Sequence, residues 1–377
     1  MKLTIVEKIS DIAAAQWNAL SNPLSPFIRH EFLCAMETHH CVGEHSGWIP
    51  HHVALYAEND ELLAAAPMYL KYNSYGEFVF DWSWADAYRC SGLHYYPKLV
   101  MASPYSPVPG ARILLRDHND NNSREIIVKT IKELADKLKL SSIHCLFGPH
   151  DDHKVMLQQG FALRHSYQFH WHNHNYKDFD DFLQYIRSRK RKNIRREREK
   201  IAASGIRFEV RFGQDITESQ WRQFHLHYCS TFDRLGGYPS FTLEFFQTIA
   251  ASMGDQVMLV AAYLGQRQVA SAFCLQDQDS LYGRHWGCDD SFDGLHFETC
   301  YYQGIEHCIA RGLSRFEPGV QGEHKISRGF LPSMTYSAHY IHHPEFREII
   351  NGFLQQEERQ IKQYFRLLEQ RSPFKTD

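Results

Sequence analysis

The chain has 377 residues, which exceeds one ordinary domain and matches two domains of roughly 150 to 200 residues each. Hydrophobic residues make up 43% and charged residues 23%, so a sizeable core is available and the composition is not that of a disordered chain. The 41 Lys and Arg against 44 Asp and Glu leave a charge of -3, so any polyanion must bind at a local basic patch.

The sequence carries no sign of a membrane span or of export. No apolar run reaches the roughly 18 residues of a membrane-spanning helix, and Glu7 and Asp11 interrupt the stretch that a signal peptide would need. The nine Cys are an odd number without a C-x-x-C pair, which indicates neither a zinc site nor a disulfide framework. We therefore expect a cytoplasmic protein.

The first half of the chain predicts alternating helices and strands. The expected elements are helices over 10–20 and 30–38, strands over 52–58 and 62–72, a helix capped by Ser123, a strand over 142–147, a helix over 151–159 and strand character over 161–174. The turn Asn59-Asp60 joins the first two strands into a predicted β-hairpin. Residues 81–110 show no steady period and predict a long loop that lines a cleft.

The second half predicts a three-stranded meander followed by a strand-helix-strand order. The expected elements are helical residues from 179 to about 205, a strand from 207, helices over 218–232 and 242–251, strands over 257–264, 268–276 and 280–286, a helix over 297–312, strands over 314–318 and 333–341, and a helix over 344–368. This order is that of GNAT-type acyltransferases, in which two strands splay apart and the gap admits an acyl donor.

Because both halves combine antiparallel strands, a helix and a further strand, the sequence suggests a duplicated unit. The predicted class is α/β (α+β), with two tandem GNAT-like domains that each consist of a mixed, mostly antiparallel sheet flanked by helices. We place the N-terminal domain at residues 1–178 and the C-terminal domain at 179–377, the latter opening with a basic helix over 182–203.

The segment 187–200 is the most charged part of the chain. It holds nine basic residues against Glu197 and Glu199, a local charge of +7. A solvated helix face is the ordinary explanation, but such a segment repels itself unless an anion lies nearby. We expect contact with nucleic acid or another anion through Arg189, Lys190, Arg191, Lys192, Arg195 and Arg196.

Eight short motifs carry a resemblance to a known family. They lie at residues 25–33, 76–82, 95–99, 106–112, 169–171, 189–198, 316–325 and 328–332. Together they resemble the FemAB-like family of N-acyltransferases, described as peptidoglycan biosynthesis or recognition proteins, over nearly the whole chain. The resemblance implies a tandem GNAT fold and, by kinship with Fem ligases, transfer of an aminoacyl group from aminoacyl-tRNA to an amine. The implied acceptor is a peptidoglycan precursor or another small amine.

Acyl transfer to an amine needs donors for the oxyanion and a base, and it needs no covalent nucleophile. The segment 317–325 contains two Gly that let a backbone approach a ligand, together with ionisable side chains. We expect this glycine-flanked turn to roof a cavity, with Glu317 or Glu323 as the base and His324 in reserve. A surface turn with ordinary polar residues is the alternative.

Substrate contacts are expected in both domains. In the second domain they are Gln321, Lys325 and Arg328 in the glycine-flanked turn, Arg284, His285 and Trp286 at the end of the meander, and Glu298 at the start of the next helix. In the first domain Trp82, Trp84, Asp86, Tyr95 and Tyr96 either stack on a sugar or peptide acceptor or belong to the core. His170, His172 and His174 alternate along a strand without a fourth ligand, so we predict no metal.

The acyl donor is open between two classes. A CoA-binding turn of GNAT enzymes holds pyrophosphate on backbone N-H groups, whereas the corresponding loop 289–296 has one Gly and three Asp that repel phosphate. This favours aminoacyl-tRNA, with tRNA as a partner and no tightly bound cofactor. The alternatives are an acyl-CoA-dependent N-acetyltransferase and a non-catalytic RNA or cell-wall-recognition protein that retains the fold.

Overall fold

The computed structural model describes residues 1–20, 25–289, 292–320 and 322–375. The chain forms two compact units, which we call the N-unit (Met1–Tyr167 and Met334–Gln363) and the C-unit (Gln168–Ser333 and Tyr364–Asp377). These units divide the chain differently from the predicted limit at 178/179, because Met334–Gln363 returns to pack in the N-unit. The domain limits stay a prediction.

The N-unit contains most of the first half of the chain. Its elements are β1 (Lys2–Val6), α1 (Ala14–Asn18), α2 (His30–Thr38), β2 (Trp48–Pro50), β3 (His52–Tyr56), β4 (Leu62–Ala66), β5 (Met68–Lys71), α3 (Trp82–Cys90), β6 (Lys98–Met101), β7 (Leu114–Leu115), α4 (Asn121–Lys137), β8 (Ser142–Cys145) and α5 (His150–Gln158). The strand β9 (Ala162–His172) begins in this unit and ends in the C-unit.

The C-unit contains the predicted meander and the helices around it. Its elements are α6 (Phe179–Tyr185), α7 (Ser188–Ala203), β10 (Ile206–Phe212), α8 (Glu218–Leu235), α9 (Leu243–Met253), β11 (Val257–Leu264), β12 (Arg267–Gln276), β13 (Ser280–Cys288), α10 (Leu295–Phe297), a π turn (Glu298–Tyr302), α11 (Gln303–Arg311), β14 (Arg315–Glu317) and a 3-10 helix (Glu323–Arg328). The last two elements, β15 (Leu331–Ile341) and α12 (Pro344–Glu369), each have residues in both units.

The N-unit has two groups of strands around one core. One has the order β1-β3-β4-β7 and is antiparallel, and the other has the order β15-β8-β6-β5-β2 with β6 and β8 parallel. The helix α4 packs its apolar face, including Ile127 and Ile131, against strand residues such as Leu99 and Ile143. The second strand group thus contains one parallel pair.

The C-unit strands have the order β10-β11-β12-β13-β14-β9. All neighbours are antiparallel except β13 and β14, which are parallel and are connected through α10, the π turn and α11. Within the described residues of each unit, the sheets are therefore mostly antiparallel and flanked by helices. The predicted class, a mixed α/β fold of two units that each have a mostly antiparallel sheet flanked by helices, is confirmed.

Several predicted elements form where the pattern places them. The hairpin of β3 and β4 turns at Asn59 and Asp60, and the meander of β11, β12 and β13 is present. Helix α4 begins two residues earlier than the predicted cap Ser123, because Asp120 is the N-cap and its side chain accepts a hydrogen bond from the Ser123 backbone N-H.

Four predicted boundaries are wrong for local physical reasons. Residues 10–20 hold only a 3-10 turn and the short α1, and the run 62–72 splits at Pro67 into β4 and β5, since Pro has no N-H for a ladder. The predicted loop 81–110 contains α3 and β6, and the basic helix 182–203 is interrupted between α6 and α7. In the part of the chain described, no helix combines the length and the apolar character that crossing a bilayer requires.

Candidate functional site

The two parallel strands of the C-unit separate after three residue pairs. The pairs are Ser280–Arg315, Leu281–Phe316 and Tyr282–Glu317, after which β14 ends while β13 continues beside β12 to Cys288. A β-bulge opposite Phe273 and Cys274 inserts Arg284 as an extra residue at the point of separation. The predicted splaying of strands therefore begins at Glu317.

Glu317 is a buried carboxylate with weak compensation. It is 1% exposed, and the Arg315 Nε lies 3.2 Å from its Oε1, but neither carboxylate oxygen accepts a hydrogen bond of ordinary geometry from the described residues. Burial raises the pKa of Glu317 to about 7, although Arg315 and Arg284 oppose the rise. Glu317 can therefore take up or release a proton near neutral pH.

Lys325 lies in the 3-10 helix that follows β14. Its side chain is buried, and its Nζ donates a hydrogen bond of 2.5 Å to the carbonyl oxygen of Gly319. Burial and the nearby Arg284 lower the pKa of Lys325 to about 7. Gly319 and Gly322 have φ values of +93° and +106°, which strain residues that carry a side chain, so the path of this turn depends on glycine.

The polar environment of Glu317 is dominated by cations. Burial lowers the pKa of His170 to about 3, and Arg315, Arg284 and Lys325 lower it further, so His170 is neutral at neutral pH. Its Nε2 lies 3.9 Å from the Glu317 Oε2. Burial lowers the pKa of Arg284 to about 10. Glu317, a carboxyl group of raised pKa, thus lies near the cations Arg315 and Arg284 and the neutral His170.

The other two predicted catalytic residues lie at the outer side of the turn. Glu323 is half exposed, accepts a hydrogen bond from the Tyr364 hydroxyl and forms a salt bridge with Arg371. These two partners lower its pKa. His324 is exposed and shares a hydrogen bond of 2.9 Å with the Tyr301 hydroxyl. Both residues are thus outside the buried group around Glu317, and Gln321 lies outside the described residues.

Arg328 and Glu298 join the turn to α7. The Arg328 Nη2 lies 2.7 Å from the Glu197 Oε1, and the guanidinium carbon lies 3.3 Å from the ring centre of Phe297. Glu298 accepts two hydrogen bonds, of 2.9 and 3.1 Å, from Arg198. The predicted substrate contacts at these two positions are therefore engaged in internal ion pairs.

The meander-end residues have aromatic neighbours. The ring of His285 lies 4.8 Å from that of Tyr228, and burial lowers its pKa to about 3. The ring of Trp286 lies 5.0 Å from that of His296. Both residues are half-buried. They lie on β13 beyond the point where the strands separate, and each packs against an aromatic ring.

The predicted acceptor contacts of the N-unit do not form one cleft. Trp84 and Tyr95 are 4% and 3% exposed and belong to an apolar cluster, so for these two the core alternative holds. Tyr96 is half-buried and bonded to Ser74, and Asp86 is exposed and paired with Arg89. Trp82 alone of the five presents a large exposed ring, with 39% of its surface accessible.

The basic helix presents a smaller cationic surface than its charge suggests. Arg198 pairs with Glu298 and Glu306, Lys200 with Asp293, and Arg195 with Asp180. The remaining predicted anion contacts form no salt bridge with any residue in the described ranges; these are Arg189, Lys190, Arg191, Lys192 and Arg196. They are the cations that an external anion would meet.

A cavity of about 910 Å³ lies beside this helix. It is lined by residues of α6, α7, β10, the π turn and α11, including Arg195, Glu298 and Glu306, but by neither Glu317 nor Lys325. The glycine-flanked turn does not roof this cavity. In the loop 289–296, Asp289 lies 3.0 Å from His227 and Asp293 pairs with Lys200, while residues 290 and 291 lie outside the described ranges.

Sequence reasoning missed Arg315 and His170 as neighbours of Glu317. Arg315 stands two residues before Glu317, so the two share one face of a strand, and this spacing was available as a signal. His170 has no such signal, because it reaches Glu317 through the pairing of β14 with β9 (Phe316 with Trp171). A contact across that pairing is not readable from local sequence.

Comparison with known proteins gives one family and a common fold. The family model FemAB_like, described as peptidoglycan biosynthesis/recognition, matches residues 8–376. Among solved structures, FemX has a TM-score of 0.56 at 10% identity over 93% of this chain and 100% of its own.

Two further structures share the fold. The C-terminal domain of a candidate lysylphosphatidylglycerol synthetase from Agrobacterium fabrum has a TM-score of 0.54 at 8% identity, over 90% of this chain and 96% of its own. L-PGS from Bacillus licheniformis has a TM-score of 0.52 at 10% identity, over 86% and 96%. No curated protein matches by sequence.

Proposed function

Since this chain belongs to the FemAB-like family of peptidoglycan biosynthesis or recognition proteins, we propose that it is an N-acyltransferase that transfers an aminoacyl group from aminoacyl-tRNA to an amine. The observation that carries this proposal is the buried, weakly compensated Glu317 at the point where β13 and β14 separate. A pKa of about 7 suits a general base that works at neutral pH.

In the proposed reaction, the amine nitrogen of the acceptor attacks the ester carbonyl of aminoacyl-tRNA. A C-N bond forms, the ester C-O bond breaks, and the ribose hydroxyl leaves. Glu317 takes the proton that the attacking nitrogen loses, and a proton returns to the departing oxygen, so charge balances over the cycle. No covalent intermediate with the protein is needed.

Lys325 and Arg284 are the proposed stabilisers of negative charge. Both are basic side chains in a buried environment, where a cation interacts more strongly with a developing oxyanion than it does in water. Lys325 is held by the Gly319 carbonyl, and burial lowers its pKa to about 7. We assign no catalytic role to Glu323, because Arg371 and Tyr364 occupy its carboxylate.

Two features favour a tRNA donor over an acyl-CoA donor. Arg189, Lys192 and Arg196 are exposed cations along α7 that offer contacts to a phosphate backbone. The loop 289–296 presents Asp289 and Asp293 where a CoA enzyme presents backbone N-H groups to pyrophosphate. We propose a peptidoglycan precursor or another small amine as the acceptor.

Transfer assays with both donor classes test the proposal. Purified protein is incubated with radiolabelled aminoacyl-tRNA or acetyl-CoA and with a muropeptide precursor or a simple diamine, and amide product is measured. We expect amide product when aminoacyl-tRNA is the donor and none when acetyl-CoA is the donor. Product from acetyl-CoA alone would instead establish the CoA-dependent alternative.

The non-catalytic alternative has its own signature. A recognition protein would bind RNA or a cell-wall fragment and give no product with either donor. It would also keep its affinity when Glu317 is replaced by Gln, because a buried carboxyl group does not contact a ligand that binds at the surface. Such a result would contradict the proposed function.

A further inference from the structure

The segment 72–82 between β5 and α3 exposes aromatic rings and nothing else that is large or charged. Its exposed residues are Tyr72, Tyr75, Phe78, Phe80 and Trp82, with exposures of 51%, 69%, 40%, 66% and 39%. The two acids of the same segment, Glu77 and Asp81, are turned inward and are 3% and 1% exposed. We call this surface the aromatic loop. The rings of Tyr75 and Trp82 lie 5.0 Å apart, and several large exposed rings within one segment mark a candidate contact surface.

The acids of the aromatic loop are neutralised from inside. The Lys98 Nζ lies 2.8 Å from the Glu77 Oε2 and 2.5 Å from the Asp81 Oδ2, and all three side chains are buried. Tyr95 donates a further hydrogen bond of 2.6 Å to Asp81. Burying these charges costs free energy, and the result is an outer surface without charge.

Two backbone carbonyl groups of the loop accept hydrogen bonds from side chains of the same unit. The carbonyl oxygen of Tyr75 accepts hydrogen bonds from the Lys71 Nζ at 3.1 Å and from the Trp48 Nε1 at 3.0 Å. The carbonyl oxygen of Phe80 accepts one of 2.8 Å from Arg164. These bonds anchor the backbone of the loop at Tyr75 and at Phe80.

The half-exposed polar side chain of the loop is similarly occupied. The Asn73 Oδ1 accepts hydrogen bonds from Lys71 and from the Tyr75 N-H, and its Nδ2 donates to the carbonyl oxygen of Ser46. A platform for a saccharide pairs its rings with polar groups that read the hydroxyls. Here Asn73 is engaged with the protein itself, so this amide is not available to read the hydroxyls of a saccharide.

We propose that the aromatic loop is a membrane-contact surface whose rings enter the headgroup region of a phospholipid bilayer. Tyr and Trp favour that depth because each combines an apolar body with a polar tip, and irregular backbone is tolerated there when its polar groups are satisfied by the protein. The absence of outward charge on the loop predicts contact with neutral and anionic lipid alike. This proposal concerns the N-unit alone and does not depend on the reaction proposed for the C-unit.

Co-sedimentation with vesicles tests the contact. The full-length protein is mixed with phosphatidylcholine vesicles at low and at high salt, and the bound fraction gives a partition coefficient. We expect binding at both salt concentrations, since apolar insertion is not screened. Binding that requires phosphatidylglycerol in the vesicles and disappears at high salt would place the contact on the basic helix and overturn the proposal.

A double variant and a matched control locate the contact. Tyr75→Ser with Phe80→Ser removes two exposed rings, and we expect the partition coefficient to fall by about 10-fold or more. Ile349→Ser with Phe353→Ser removes two exposed apolar side chains from α12, 66% and 43% accessible, and is expected to leave the partition coefficient unchanged. An equal loss in both double variants would contradict the assignment to the loop.

The fluorescence of Trp82 gives a readout that does not depend on sedimentation. Brominated phosphatidylcholine is expected to quench part of the emission of the wild-type protein, and the quenched part should disappear in Trp82→Phe. If Trp82→Phe keeps the full quenching, the loop is not at the bilayer. Protection of Trp82 by a soluble muropeptide or protein, with no effect of lipid, would likewise overturn the proposal in favour of that partner.

Discussion

The parallel strand pair of the N-unit and that of the C-unit have the same length and different surroundings. Strand β6 has four residues, and three of them, Leu99–Met101, pair with β8, so nearly the whole of β6 is paired. Strands β13 and β14 pair over three residues of a nine-residue strand, which leaves most of β13 without a partner on that side. Only the C-unit pair therefore opens a gap.

The charged side chains beside the two parallel strand pairs also differ in the bonds that they form. In the N-unit, Lys98 at the start of β6 is bonded to two carboxylates, which forms a compensated cluster. In the C-unit, Glu317 has an ion-pair contact with Arg315 that lacks hydrogen-bond geometry. Burial raises the pKa of Glu77 to about 7, as it does that of Glu317, so the clusters differ in hydrogen bonding rather than in this pKa: Glu77 accepts a hydrogen bond from Lys98, whereas Glu317 accepts none of ordinary geometry from the described residues.

Replacing the C-unit carboxyl group is expected to have the largest effect. Glu317→Gln keeps the size of the side chain and removes the base, so transfer should fall by about 1000-fold in the aminoacyl-tRNA assay. Glu323→Gln in the same turn is the matched control and should change the rate by no more than about 3-fold, because exposed ion pairs contribute little. Equal transfer rates for the two variants would contradict the assignment of Glu317, rather than Glu323, as the base.

Replacing the two buried lysines compares the clusters directly. Lys98→Met leaves Glu77 and Asp81 buried without their cation and should lower the free energy of unfolding by about 3 kcal/mol. Lys325→Met removes a lysine whose Nζ is bonded to a backbone carbonyl and should cost about 1 kcal/mol. Urea unfolding of both variants measures the difference. If Lys325→Met lowers the free energy of unfolding more than Lys98→Met does, Lys98 is not the more strongly bonded of the two lysines.

The pH dependence of the free energy of unfolding measures how much the burial of the ionised Glu317 carboxylate destabilises the fold. Its folded-state pKa of about 7 lies above the ordinary value of 4.5, so the folded state binds the extra proton in this interval and loses stability as the pH rises from 4.5 to about 7. Glu317→Gln should therefore unfold with the wild-type free energy at acidic pH and be more stable by about 3 kcal/mol at pH 8. A variant that is less stable than wild type at pH 8 would show that the carboxylate is well compensated.

The exposed cations of α7 are expected to have the smallest effect on free energy. Replacing Arg189, Lys192 and Arg196 by Ala should weaken tRNA binding about 10-fold at low salt and reduce the salt slope by about 2. The control replaces Lys129, Lys137 and Lys154, which are exposed in the N-unit and carry the same charge. Filter binding over a series of salt concentrations distinguishes a local contact from a general charge effect.

The sequence identifies elements whose signals are local. The meander, the hairpin at Asn59-Asp60 and the helix α8 with its Thr217 capping box follow from alternation, turn residues and caps. Helix α3 and strand β6 were missed because β6 begins with a buried Lys98. That lysine is stabilised by Glu77 and Asp81, which lie 21 and 17 residues earlier, and no local pattern reveals such a partner.

The site shows the same limit. Glu317 was found because two glycines mark the turn after it, which is a local feature. Glu323 looked equivalent in the sequence, but its partners Tyr364 and Arg371 are 41 and 48 residues away and hold it at the outer side. The burial that distinguishes the two glutamates is a property of the packed unit, so local sequence could not show it, and Glu317 as the base stays a proposal.

The protonation of Glu317 is the quantity on which the proposed chemistry rests. It can be followed by NMR titration of protein labelled with 13C at the Glu carboxyl carbons, with Glu317→Gln as the reference that identifies the resonance. A carboxyl signal that is absent from the variant and titrates with a pKa of about 7 is the predicted result. A signal that titrates near 4.5 would show an ordinary ionised carboxylate and would contradict its assignment as the base.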